Sequence, residues 1–271
     1  MLDLDRIARI IRDTAAIEIL PRFRMLAQED IREKRPGDLV TIADTEAERR
    51  LIRELEAAIP GSVALGEESV AADPTRLDLL AGDAPVWIID PVDGTGNFAK
   101  GVARFAVIVA YIERGVTQAG WIYNPLDAVM VTAERGGGAW SAGTRLHVAH
   151  EEDAARMVGS AYGRTQAGTR AVQALSASGR FGEVRNLGCS GLEYMEVALG
   201  QAHFTLHSRS LPWDHAAGML IIAEAGGGAS FLDGTPYDSR ISDRKPLAAI
   251  DARTWRLVHD IVTAPAPAAE P

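Results

Sequence analysis

Leu4, Ile7, Ile10, Ile11 and Ile17 recur at helical spacing with Asp and Arg between them. This spacing predicts an amphipathic first helix that Pro21 kinks or ends. The charged run Arg32-Glu33-Lys34-Arg35, followed by Pro36-Gly37-Asp38, predicts an exposed turn. Thr41-Ile42-Ala43-Asp44 has the form of a capping box opening a second helix. Ala47, Leu51, Leu55 and Ala58 would form its buried stripe, and Pro60-Gly61 its end.

Residues 62–65 form a short apolar run into Gly66-Glu67-Glu68, and residues 86–89 (Val-Trp-Ile-Ile) read as a strand buried on both faces that stops at Asp90. Between residues 105 and 141 the pattern becomes a β meander: strands are expected at 105–111, 119–123, 129–133 and 138–141. Glycine and proline turns separate them. The run Gly136-Gly137-Gly138 has no helical pattern after it, so it is a turn and not a dinucleotide loop. From about residue 150, strands near 157–160, 202–206, 228–231 and 247–250 alternate with helices at 166–178, 190–199, 215–224 and 253–262. Such alternation predicts a layered α/β arrangement with helices flanking a sheet. The expected division is an N-terminal α+β half over 1–145, a C-terminal α/β half over 146–263 and a loose Ala/Pro tail over 264–271. No internal repeat stands out.

Composition narrows the classes. With 271 residues, 47% of them hydrophobic, the chain can bury a sizeable core. A formal net charge of −9 and a pI near 5.2 argue against a nucleic-acid surface. The single cysteine, Cys189, forms no internal disulfide or thiolate zinc pair, which fits the cytoplasm. The N-terminus lacks the apolar stretch of a signal peptide, and no run of about 18 apolar residues predicts a membrane span.

Acidic residues then stand out at the ends of predicted elements: Asp44, Glu67 and Glu68, Asp90 and Asp93, and Asp214. Asp-Pro-Val-Asp-Gly-Thr over residues 90–95 follows directly on a buried strand. Pro91 stiffens the turn, so that both carboxylates and the Val92 carbonyl can face one point. Gly94 permits close backbone approach, and the helix start at Thr95 is a phosphate seat. An all-oxygen set of this kind suits Mg²⁺, Mn²⁺ or Ca²⁺ and not zinc. Alone, Asp44 reads as a helix-start residue and Asp214, after Trp213, as an N-cap. His215 reads as a first-turn polar residue. Glu67 and Glu68, on extended chain, would point to opposite sides, so that at most one meets a given metal.

Taken together, Gly66-Glu67-Glu68-Ser69, Trp87-Ile88-Ile89-Asp90-Pro91-Val92-Asp93-Gly94-Thr95-Gly96-Asn97-Phe98 and Trp213-Asp214-His215-Ala216-Ala217-Gly218, continuing to Glu224-Ala225-Gly226-Gly227, resemble the inositol monophosphatase family of metal-dependent, lithium-sensitive phosphatases. Leu39-Val40-Thr41-Ile42-Ala43-Asp44 is a weaker fourth match. The resemblance implies an α-β-α-β-α sandwich, a homodimer, and hydrolysis of a small phosphorylated metabolite by direct in-line attack of water. It implies two or three Mg²⁺ ions, replaceable by Mn²⁺, on Glu67, Asp90, the Val92 carbonyl, Asp93 and Asp214. Asp44 and Thr95, with Glu67, would activate the water. The Gly94 and Thr95 amides would grip phosphate, with Asp93, Ser190, His207 and Asp214 also toward the substrate.

Two departures bear on the substrate. Gly96 replaces a Thr or Lys common in the family motif, and His207 stands about where inositol-specific members carry an acid. Inositol 1-phosphate is the first substrate expected, with histidinol phosphate, fructose 1,6-bisphosphate and 3′-phosphoadenosine 5′-phosphate as alternatives. Ser190 and Arg209 read equally as substrate contacts or as ordinary helix and loop polar groups. A haloacid-dehalogenase-type phosphatase would need its two Asp at i and i+2, whereas Asp90 and Asp93 stand at i and i+3. A non-catalytic regulatory member of the fold is the other class weighed.

Overall fold

The computed structural model describes residues 2–163 and 166–264. In chain order the elements are α1 (Leu4–Thr14), β1 (Ile31–Arg35), β2 (Asp38–Thr41), α2 (Ile42–Ala58), β3 (Val63–Gly66), α3 (Glu67–Ala72), β4 (Val86–Asp93), α4 (Thr95–Ala99), β5 (Ala106–Glu113), β6 (Val116–Asn124), β7 (Val129–Glu134), β8 (Gly138–Ser141) and β9 (Thr144–Arg145). They continue with β10 (Val158–Tyr162), α5 (Gln166–Ala177), β11 (Glu183–Arg185), α6 (Ser190–Ala198), β12 (Phe204–His207), α7 (Pro212–Glu224), β13 (Gly228–Phe231), β14 (Pro246–Ala249) and α8 (Ala252–Thr263). Apart from Ala264, the expected tail lies outside the described residues.

Strands β3 to β9 form a seven-stranded sheet in sequence order, with β3 and β4 parallel and the remaining pairs antiparallel. A second sheet runs β11-β10-β12-β14-β13. In β5 the even positions Ala106, Ile108, Ala110 and Ile112 join one core cluster, while Val107, Val109 and Tyr111 join the other. Both faces of the large sheet are therefore covered, which is why these strands are apolar throughout. Helices α1 and α2 cover one face, through Ile7, Ile11, Leu51 and Leu55 against Trp87, Ile89 and Trp121. Helices α6 and α7 cover the other and present their far side to the five-stranded sheet, which α5 and α8 cover in turn. The layers are α-β-α-β-α, as the resemblance implied.

Local details differ from the sequence expectations for physical reasons. The first helix changes pitch at Ala15–Ile19, a π-helical turn, and continues as a 3-10 turn over Leu20–Arg22. The wider turn rotates the apolar stripe, so Ile19 is buried while Ile17 is 50% exposed. The charged run at 32–38 is not simply a turn: it forms most of a β-hairpin, with Gly37 at φ +77° in the bend. Strand β4 does not end at Asp90. It runs on to Asp93 through a bulge, where pairing with β5 slips from Asp90–Ile108 to Asp93–Ala106. Pro91, lacking an N–H, sits in that bulge, and bulges re-aim side chains beside functional sites.

Helix α7 lies unusually close to the large sheet. A methyl group at Gly120 on β6 would meet the Cα of Ala217 at 2.8 Å. Gly120→Ala is accordingly expected to cost about 1–3 kcal/mol by overpacking, read from urea unfolding; an unchanged midpoint would show that the helix can retreat freely.

Candidate active site

The bulge in β4 and the starts of α2, α3, α4 and α7 converge on one cavity of about 970 Å³, a size suited to a small ligand. Glu67 enters from the first residue of α3, Asp90 from β4 and Asp214 from the first turn of α7. One carboxylate oxygen from each of these three lies within 4.8 Å of the others. The expectation that Asp214 caps α7 is corrected: the cap position is Leu211, Pro212 opens the helix, and Asp214 is its third residue. Freed from capping, its carboxylate belongs to the acidic group.

Asp90 is 2% exposed, and its Oδ1 accepts the Val92 amide hydrogen at 3.1 Å. Burial pushes its pKa well above the usual carboxylate range, and the charges of Glu67, Asp93, Asp214 and Asp44 push it further. Asp93 belongs to the same cavity but is held differently. Its Oδ2 accepts the Gly191 amide at 2.6 Å and the Cys189 thiol at 3.0 Å. Several carboxylates crowded in a low-dielectric site repel one another and strongly favour a shared cation. The donors are all oxygen, so they fit a hard divalent ion.

Asp44 is buried, and its role in the capping box is real: its Oδ2 accepts the Thr41 amide at 2.8 Å. Its other oxygen lies 2.9 Å from Thr95 Oγ1, and Thr95 lines the cavity. That hydroxyl also lies 3.0 Å from the Val92 carbonyl. It carries one proton, so it can serve only one of these acceptors fully at a time. Burial raises Asp44 to about 6, against the pull of the Thr41 hydrogen bonds. Gly94, at φ +89°, turns the chain from β4 into α4, and a side chain there would press to within 2.8 Å of the Arg104 carbonyl. The turn therefore requires glycine.

Glu67 and Glu68 are not on extended chain. Both lie in the first turn of α3, and both reach one ammonium: Lys34 Nζ is 2.6 Å from Glu67 Oε1 and 2.9 Å from Glu68 Oε1. Burial works against the Lys34 charge, but the two carboxylates outweigh it and raise its pKa above the usual value. Burial, then the neighbouring Glu67, raises Glu68 to about 8. Lys34 escaped the sequence reading because its neighbours Arg32, Glu33 and Arg35 marked the stretch as solvated.

His207 also lines the cavity and is 3% exposed, with Nε2 2.9 Å from Thr205 Oγ1 and 3.6 Å from Glu193 Oε2. Its ring stacks on Tyr194 and lies 4.6 Å from the His215 ring. His215 is no surface residue: its Nε2 lies 3.0 Å from the Arg209 carbonyl and its Nδ1 3.1 Å from the Tyr194 hydroxyl. The carbonyl can only accept, so Nε2 carries the proton and Nδ1 accepts from the tyrosine. Burial lowers His207 to about 3 and, with the neighbouring His207, lowers His215 as well. Ser190, the first residue of α6, donates its hydroxyl to the Asp214 carbonyl at 3.2 Å and lines the same cavity, as does the exposed Arg209.

No helix among the described residues is long and apolar enough to cross a membrane. The family model for the inositol monophosphatase family matches residues 3–263. An inositol-1-monophosphatase of Mesorhizobium japonicum is 38% identical over 205 residues, covering 74% of this chain and 75% of that protein. A fructose-1,6-bisphosphatase/inositol-1-monophosphatase of Thermotoga maritima is 33% identical over 197 residues, covering 72% and 73% respectively. The solved structure of a Thermotoga maritima IMPase superposes with a TM-score of 0.83 at 27% identity, over 97% of each chain. The sequence match along almost the whole length, together with the shared layers, shows that the chain belongs to the inositol monophosphatase family and is a phosphoric monoester hydrolase.

Proposed function

We propose that the chain hydrolyses the phosphate monoester of a small polyol or sugar, inositol 1-phosphate first among them, using Mg²⁺ held by Glu67, Asp90, the Val92 carbonyl, Asp93 and Asp214. The observation that carries this reading is the meeting of Glu67, Asp90 and Asp214 oxygens within 4.8 Å, beside the Thr95–Asp44 pair. When bound, two or three such ions supply positive charge to the phosphoryl oxygens, acidify a water and steady the departing alkoxide. Mn²⁺ would substitute, having the same preference for oxygen.

The protein's own groups do the remaining work. Gly94 and Thr95 offer backbone amides to phosphate oxygens at the start of α4. Thr95 and Asp44 orient the attacking water, and Asp44 takes up the proton passed through the Thr95 hydroxyl. Glu67 holds the water from the other side. Ser190 and His207 meet the alcohol portion of the ester. Neutral His207 would offer a ring nitrogen to a hydroxyl, with the Glu193 carboxyl group 3.6 Å away in the same lining. The name of the Thermotoga maritima relative supports a second reading, a sugar bisphosphate. We place the enzyme in the cytoplasm as a homodimer, in line with its single buried thiol and with the family resemblance.

A panel of phosphorylated polyols, sugars, histidinol phosphate and 3′-phosphoadenosine 5′-phosphate, assayed for phosphate release with Mg²⁺ and with EDTA, tests the reading. Mg²⁺-dependent release from a polyol or sugar ester is expected, lost in EDTA and restored by Mg²⁺ or Mn²⁺. Undiminished release in EDTA, or no release from any ester, would defeat it.

A further inference from the structure

Glu48 is a buried carboxylate with no part in the chemistry described above. It projects from α2 one turn beyond Asp44 and is 4% exposed. Its Oε2 accepts the Glu68 amide and its Oε1 the Ser69 amide, each at 2.8 Å. These are the second and third residues of α3, whose cap position is occupied by Gly66 and offers no side chain. The glycine is needed there, because a methyl group at Gly66 would collide with the Glu48 carboxylate.

Helix α3 has only 6 residues, too few to hold itself in place. It nevertheless begins with Glu67, whose carboxylate must point at Asp90 and Asp214. Helix α2 has the opposite character: 17 residues, anchored in the core by Ala47, Leu51 and Leu55. Glu48 thus ties the short helix to the rigid one at the two amides that follow Glu67. Buried carboxylates are costly unless hydrogen-bonded, and this one has two charge-assisted bonds in compensation. A neutral Ser or Asn cap within α3 itself would satisfy one amide without linking the two helices.

We propose that Glu48 is a positioning residue for Glu67: by clamping the Glu68 and Ser69 amides to α2 it fixes where Glu67 presents its carboxylate, and so sets the affinity of the metal site. The inference rests on the metal reading given under Proposed function. Outer groups that orient metal ligands are typically worth about 10–100-fold in affinity. Asp44 and Glu48, one turn apart, would then make α2 a common frame for the water-activating pair and for a metal ligand.

The test uses the full chain with Mn²⁺ as the probe, free ion being counted by electron paramagnetic resonance, for the wild type, Glu48→Gln, Glu67→Gln and the double variant. Glu48→Gln keeps the volume but turns one acceptor into a donor facing an amide. It is expected to weaken Mn²⁺ binding about tenfold, and the double variant to bind no more weakly than Glu67→Gln alone. Gly66→Ala, which displaces the carboxylate without removing it, is expected to reproduce the loss and serves if Glu48→Gln does not fold. A lowered melting temperature with wild-type Mn²⁺ affinity in both variants would overturn the inference, as would losses that multiply in the double variant. A wild type that binds no Mn²⁺ would defeat the metal reading itself, and the inference with it.

Discussion

Asp90→Asn is expected to lower kcat by at least about a thousandfold, equivalent to roughly 4 kcal/mol of transition-state stabilisation, while leaving the metal-free protein at least as stable as the wild type. The two effects have opposite signs for one reason. Asp90 is 2% exposed and surrounded by Glu67, Asp93, Asp214 and Asp44. Without a cation its charge is a burden on the fold, so a neutral amide relieves repulsion. The Asn oxygen can still accept the Val92 amide hydrogen that Asp90 Oδ1 accepts at 3.1 Å. On the proposed metal reading, the same substitution would replace a central anionic ligand with a weak neutral one. Melting curves in EDTA and phosphate release in Mg²⁺ measure the two halves. Wild-type turnover in this variant would remove the metal centre from the mechanism, and a large drop in metal-free melting temperature would show that Asp90 is structural.

Thr95→Val should reduce kcat by about a hundredfold or more, in the range of a lost proton-transfer group, with little change in KM. Valine matches threonine in shape and leaves the backbone of α4 as it is. What disappears is the hydroxyl placed 2.9 Å from Asp44 Oδ1 and 3.0 Å from the Val92 carbonyl. Asp44 Oδ1 then loses a hydrogen-bond partner, which adds a stability loss of about 1–3 kcal/mol. Thr95→Ser restores the hydroxyl and should restore turnover. Steady-state kinetics on the three proteins decide the matter; a Thr95→Val enzyme with normal kcat, or a Ser variant as poor as Val, would take the hydroxyl out of the chemistry.

Much of the fold was legible because local rules and global packing agree. The continuous apolar runs around Ile88 and Val109 are what a sheet covered on both faces demands, and both lie in such a sheet. The capping box at Thr41 to Asp44 marked the start of α2 correctly. The misreadings share a cause. At Ile17, a π-helical turn shifted the phase of a stripe that a constant 3.6-residue period assumes. At Asp90, a proline bulge prolonged a strand that seemed to end. At Asp214, the N-cap pattern gives way because the helix already opens at Pro212, two residues earlier. At Glu67 and Glu68, an immediate helix start replaced the assumed extended chain and put both acids on Lys34.

The role of Glu48 is illegible in the sequence for a different reason: its partners are distant along the chain. A signal existed: it lies four residues after Asp44 and next to Ala47, on the side of α2 that the apolar stripe marks as buried. An acid on that side calls for a partner, but nothing local says that the partners are the Glu68 and Ser69 amides, 20 and 21 residues onward. His207 and His215 illustrate the same limit, since their neutral state follows from burial against Tyr194 and one another.

By itself the amino-acid order determined the layering, the family and the kinds of atom available for chemistry, because hydrophobic period, turn residues and Asp-Pro-Val-Asp-Gly-Thr are all short-range features. Only the tertiary structure decided which oxygens meet and what holds them there. Glu67, Asp90 and Asp214 are separated by up to 147 residues along the chain, yet their carboxylates share one small volume. Their convergence is set by the packing of α3 and α7 against β4 of the large sheet, and like charges are held together there because burial of the surrounding core outweighs their repulsion.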